Sequence, residues 1–133
     1  MQTLQKIQQE HNKIIDYLDK IQQFIEGTFE YNEFYNLYKE FLTFLNNHEK
    51  NESQFFPMFE EYSKFKEIHI DHKAIKGYNK VIALALETHY EPYIKVTLEI
   101  DGKMLIRRLR EHIKKEEEFL KKTSESISYP KTL

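Results

Sequence analysis

Residues 46–62 read NNHEKNESQFFPMFEEY. Leu45, His48, Glu52, Phe55 and Phe59 recur by threes and fours, so they share one face of a helix. The same face runs back through Phe41, Tyr38 and Phe34. Two of its positions hold a histidine and a carboxylate where an apolar side chain is expected. A buried carboxylate without a partner is costly. Pro57 follows Glu52 by about one turn. It lacks an N–H and crowds the carbonyl four residues back, so the helix should kink or end there.

The spacing rule reads the rest of the chain too. A first seam runs Leu4, Ile7, His11, Ile14, Leu18, Ile21, Ile25 and stops near Gly27. A third runs Phe65, Ile68, His72, Ile75, Asn79, Ile82, Leu86 and ends before THYEP, where Pro92 suits the first turn of a new helix. A fourth runs Leu98, Gly102, Leu105, Leu109, His112, Glu116, Phe119. Four amphipathic segments with short connections predict an all-α, antiparallel up-down-up-down four-helix bundle. The bundle is expected over residues 1–123, with 124–133, of turn composition, as a C-terminal tail.

Composition bounds the function. The chain has 133 residues, enough for one core. A net charge of −2 gives no global attraction to nucleic acid or to an anionic membrane. No apolar run reaches the roughly 18 residues of a membrane span, and the polar N-terminus lacks a signal peptide's apolar stretch. A cytoplasmic protein is expected. Cysteine is absent, which excludes disulfides and thiolate ligation. Any metal must therefore be held by histidine and carboxylate.

Each seam is interrupted by ionisable groups: His11, then His48 and Glu52, then His72, then His112 and Glu116. His11 and His72 lie early in their helices and the others late. In an antiparallel bundle these places fall at one end, so the six residues converge on one layer. His-x3-Glu occurs twice, and residues i and i+4 are neighbours on a helix. Imidazole and carboxylate without thiolate suit iron, manganese or zinc. Six donors exceed the four of an ordinary zinc site. They match two metals bridged by two carboxylates with terminal imidazoles on each. The Glu-x2-His of ferritin-like bundles and the His-Glu-x2-His of zincins are both missing.

The ordered set formed by His11, HEKNESQFFP, His72 and HIKKEE resembles the hemerythrin-like family, the HHE cation-binding domain, from His11 to Glu116. The resemblance implies an oxo- or hydroxo-bridged non-haem di-iron centre. His11, His48, His72 and His112 would be terminal ligands, and Glu52 and Glu116 would bridge the two irons. It implies reversible binding of dioxygen for storage, delivery or sensing. The alternative it leaves is a di-iron redox enzyme or iron-repair protein acting on nitric oxide or peroxide. Animal members carry five histidines, with His-x3-His on the third helix. Here that helix offers His69 and His72, at His-x2-His. His69 falls just beside the seam and reads either as a fifth ligand or as a half-exposed flank residue. The fourth helix carries His-x3-Glu where animal members have His-x4-Asp.

Neighbouring polar residues have blander readings. Glu49 points about 100° from His48 and reads as part of a solvated face, with the resemblance leaving the alternative of an extra carboxylate ligand, which some family members place there. Glu117 and Glu118 read as a charged surface. His89 belongs to a loop. Asn79 is expected to satisfy a local hydrogen bond, and Gly102 to allow close packing or a break. Phe55, Phe56 and Ile75 are expected as walls of a ligand pocket.

Overall fold

A computed structural model describes the backbone of residues 2–55 and 63–128, and the side chains of 5–52 and 70–121. Helix α1 spans Gln2–Glu26, α2 Tyr31–Phe55 and α3 Ser63–Glu87. Helix α4, Glu91–Thr97, continues through a π-helical turn at Leu98–Gly102 into α5, Lys103–Ser128. These make four rods, and the described residues contain no strand.

The helix ends follow from the sequence. The Gly27 N–H donates to the Gln23 carbonyl at 2.8 Å, and a Cβ at Gly27 would lie 2.9 Å from that oxygen. A side chain there would clash, so glycine marks the stop. At the start of α2 the Glu30 carboxylate accepts from the N–H groups of Asn32 (3.3 Å) and Glu33 (2.6 Å), which have no partner inside the helix. After α3, His89 takes φ 54°, turning the chain toward Pro92 in the first turn of α4. His89 is exposed, as its loop position predicts. Helix α2 is continuous to Phe55; Pro57 lies outside the described residues.

Cross-helix pairs fix the topology. Phe24 packs on Phe34 and Tyr17 on Phe41, between α1 and α2. Tyr31 donates to the Leu86 carbonyl at 2.8 Å and Tyr38 to Asn79 Oδ1, between α2 and α3. Arg110 pairs with Asp19 and Glu117 with His11, between α5 and α1. In every set one number falls as the other rises, so adjacent rods are antiparallel. The core holds Ile14, Leu18, Ile21, Phe34, Phe41, Ile82, Leu98 and Leu105, all at most 2 % exposed. Burying each such side chain is worth about 1.5–3 kcal/mol.

The π turn is a local answer to the seam. Ile94, Leu98 and Gly102 are all buried at consecutive spacings of four. Successive fours drift about 40° around an α-helix, and the wider turn absorbs that drift. Gly102 supplies both expected features. It closes the π turn, and a Cβ there would approach Ile25 Cδ1 to 3.1 Å. No helix among the described residues is long and apolar enough to cross a membrane.

Candidate metal centre

All four rods contribute to one polar layer. His11, His48 and His112 are 1–3 % exposed, and Glu52 and Glu116 are fully buried. The His72 side chain is more open, at 17 %. His48 Nε2 lies 2.9 Å from Glu52 and His112 Nε2 3.1 Å from Glu116, so each His-x3-Glu pair converges as its spacing requires. His11 Nε2 lies 3.2 Å from Glu52 and 3.0 Å from Glu116. His72 Nε2 lies 3.2 Å from Glu52 and 3.6 Å from Glu116.

The donors divide into two groups. His11, His48, Glu52 and Glu116 bring one donor atom each within 4.8 Å of one another, and so do Glu52, His72, His112 and Glu116. Both carboxylates belong to both groups. The histidines pair edge to face, with ring centres 4.8 Å apart for His11 and His48 and 4.7 Å for His72 and His112. Among the described residues, His48 Nε2, His112 Nε2, Glu52 Oε1 and both Glu116 oxygens are buried and face one another as close ion pairs, but without hydrogen-bond geometry. Such atoms are costly in a core, and a cation between them would satisfy them. The donor set fits a metal on that ground as well as on its chemistry.

The buried carboxylates raise the affinity of two of the histidines for protons. Burial pulls the His11 pKa down, but the carboxylates of Glu116, Glu52 and Glu117 outweigh it and push it up to about 10. His72 likewise reaches about 10 against burial, through Glu116 and Glu52. Burial acts to raise the Glu116 carboxyl, yet His11, His112 and His72 hold it well below the usual carboxylate range.

A second ring of carboxylates surrounds the first. Glu117 accepts from His11 Nδ1 at 2.5 Å, Glu10 from His48 Nδ1 at 2.7 Å and Asp71 from His112 Nδ1 at 3.1 Å. Each contact fixes the ring so that Nε2 faces inward. Every one of these acids is the sequence neighbour of an inner-layer residue on a different helix. Glu10 precedes His11 but serves His48. Asp71 precedes His72 but serves His112. Glu117 follows Glu116 but serves His11. A preceding residue on an upward helix and a following residue on a downward helix are displaced in the same rotational sense seen down the bundle. The acids therefore step around the bundle in one direction, each reaching the next helix.

Glu49, following His48 on α2, occupies the fourth such position, toward His72. It is not on a solvated face. Its side chain is 13 % exposed and lines a small cavity with Glu52, His72, His112 and Glu116. Burial raises its carboxyl pKa, against the nearby charges of His72 and Lys76. The reading of Glu117 as bare charged surface is also corrected by its contact with His11, whereas Glu118 is exposed as expected. Glu10 and Asp71 were not apparent from the seams, since they lie one position off them. The signal was present as an acid directly beside one inner-layer residue on each rod, Glu10, Glu49, Asp71 and Glu117, and it becomes legible only when helix direction is known.

The cavity's apolar walls are Ile14, Leu45, Ile75, Leu109 and Ile113. Ile75 was expected there. The side chains of Phe55 and His69, and all of Phe56, lie outside the described residues, although His69 falls within α3. Asn79 bonds Tyr38 away from the polar layer.

Residues 2–123 match the family described as Hemerythrin HHE cation binding domain. No curated protein and no solved structure matches the chain significantly.

Proposed function

The chain belongs to the hemerythrin HHE cation-binding family, and from that premise we propose that it holds two iron ions in the polar layer and binds dioxygen there reversibly. His11 and His48 would hold one ion and His72 and His112 the other, with Glu52 and Glu116 bridging. His69, three residues before His72 on α3, is proposed as a fifth imidazole. The observation that carries the reading is the pair of donor groups that share both buried carboxylates. Iron held there would supply the reversible electron transfer that dioxygen binding needs.

The chain's own residues do the rest. Glu117, Glu10 and Asp71 retain the Nδ1 protons of three imidazoles, leaving each Nε2 lone pair directed into the layer. Ile14, Leu45, Ile75, Leu109 and Ile113 form the apolar part of the cavity beside it. An apolar wall favours release of the unchanged ligand, because water and protons would otherwise promote its reduction.

The test is anaerobic reconstitution with iron(II), followed by oxygen and then degassing. Carriage predicts two irons per chain and a charge-transfer band that appears with oxygen and disappears on degassing. Irreversible oxidation on first exposure contradicts it.

A second reading, turnover of peroxide or nitric oxide or repair of iron proteins, draws support from Glu49. Glu49 places a carboxyl, its pKa raised by burial, beside His72 at the cavity, a group that carriage does not need. The variant His69→Ala separates the two. Under carriage it speeds loss of the oxygenated form by opening a further position on one ion. Unchanged spectra and decay, with steady consumption of peroxide or nitric oxide, would favour turnover.

A further inference from the structure

The end of the bundle away from the polar layer carries an open apolar face. On α3 the flank turned toward α5 is marked by Asp71, which receives Arg108 and Lys115. Tyr78, two helical turns on, and Val81, one turn beyond it, continue that flank. On α5 the matching flank holds Arg108 and, one turn before it, Met104. Val81 and Met104 therefore border the α3–α5 seam from opposite sides. The two rods are antiparallel. The step from Val81 to Leu84 and the steps from Met104 to Ile100, Val96 and Tyr93 thus run the same way, away from the polar layer. All six are large hydrophobic side chains, and each is 40–60 % exposed.

Together they open on the order of 500 Å² of apolar surface, in the upper range of the largest patch on a monomer. With a polar edge this approaches the roughly 800 Å² that each partner gives to a stable protein interface. The edge does not repel a like surface. Along the outer side of the fourth rod Lys95 pairs with Glu91 at 3.8 Å and Lys103 with Glu99, so these charges cancel within the helix. An apolar centre rich in tyrosine and methionine inside a rim of both signs has the anatomy of an interface. Gly77 is an independent observation. It lies one turn before Val81, exposed, in the interior of α3. A Cβ there would meet nothing within 4 Å. Glycine weakens a helix interior relative to alanine, and no contact among the described residues requires it. What a glycine there permits is the close approach of a second backbone from outside.

We infer that this face joins two copies of the chain as a two-fold dimer, patch on patch, with the α3 helices crossing closely at Gly77. A second copy is the occupant that fits. It brings an apolar patch of equal area, and its edge carries charges already balanced in pairs. That balance gives an anionic lipid surface nothing to select. The histidines and glutamates of the polar layer lie at the other end of the rods, so the dimer should form equally with and without metal.

Sedimentation equilibrium over a range of chain concentrations tests this. The unmodified chain should pass from one to two chain masses as concentration rises, with a Kd on the order of micromolar. Leu84→Glu with Ile100→Glu should weaken association by about hundredfold or more. Its helical circular dichroism should persist, since both side chains are more than half exposed. Gly77→Ala should raise the melting temperature of the dilute chain, because alanine favours the helix and its Cβ meets nothing. The same change should weaken association by about tenfold, because the added methyl separates the crossing helices. Should the double variant lose its helical spectrum, Gly77→Ala decides alone. A single chain mass at every concentration would overturn the inference, as would a dimer that both variants leave intact. A dimer lost in the double variant but unchanged in Gly77→Ala would overturn the crossing at Gly77. A single chain mass that co-sediments with phosphatidylcholine vesicles would overturn the dimer in favour of a lipid surface.

Discussion

The two ends of this bundle are built on different terms. At one end Phe24, Phe29 and Phe34 pack ring on ring, Tyr38 stacks on Phe34, and the buried Tyr38 hydroxyl is satisfied by Asn79. That end is complete with protein atoms alone. At the other end six histidine and glutamate side chains crowd one layer, and five of their buried atoms face one another as close ion pairs without hydrogen-bond geometry among the described residues. Here the fold leaves a demand that an outside cation would meet. Stability should therefore answer to metal at one end and to packing at the other.

The largest expected effect is metal itself. Ligands that converge only in the folded chain make binding energy into folding energy. At free metal a thousandfold above Kd, each site should add about 4 kcal/mol. Thermal melts with and without chelator check this, and coincident melts would break the comparison. Nearly as large, Phe34→Ala should cost about 3–5 kcal/mol. The loss should be the same in loaded and metal-free protein, because Phe34 lies at the other end. A loss that depends on metal would mean that the two ends are coupled.

Acidity sharpens the contrast. In the metal-free chain His11 and His72 rise to about 10 from an ordinary 6.5. Their contribution is thus complete below pH 6.5 and disappears as pH rises through about 10. The lowered Glu116 carboxyl adds stability above pH 4.5 that is lost as pH falls through its depressed value. Metal, in contrast, needs neutral imidazole and gains affinity as pH rises. The difference in melting temperature between loaded and metal-free protein should therefore widen from pH 6 to pH 9 and narrow toward pH 5. Melts across that range decide it, and a gap that widens toward acid would contradict the ligand assignment. The smallest effect is Tyr38→Phe. It leaves the buried Asn79 carbonyl short of a donor at about 1–3 kcal/mol, with no change in metal content by elemental analysis.

The seams carried most of this in the sequence, because helical periodicity and burial are the same information. His11, His48, Glu52, His72, His112 and Glu116 could be placed in one layer from spacing and antiparallel order alone. Glu10, Asp71 and Glu117 could not, since an acid one step off a seam looks like solvated surface until the neighbouring helix is in place. Glu49 misled for the same reason: a 100° offset points to solvent on an isolated helix and to the next rod within a bundle. The π turn was hidden because a buried run at spacing four reads as an α-helical face unless its drift is summed.

The central claim is that Glu52 and Glu116 are shared between two ions. X-ray absorption at the iron edge of the reconstituted protein tests it most directly. The account predicts two irons per chain, coordinated by nitrogen and oxygen, with a metal–metal scattering shell inside about 4 Å. That shell should disappear in both Glu52→Ala and Glu116→Ala but persist in Glu118→Ala. Two irons with no such shell, or a shell that survives loss of either buried carboxylate, would contradict it.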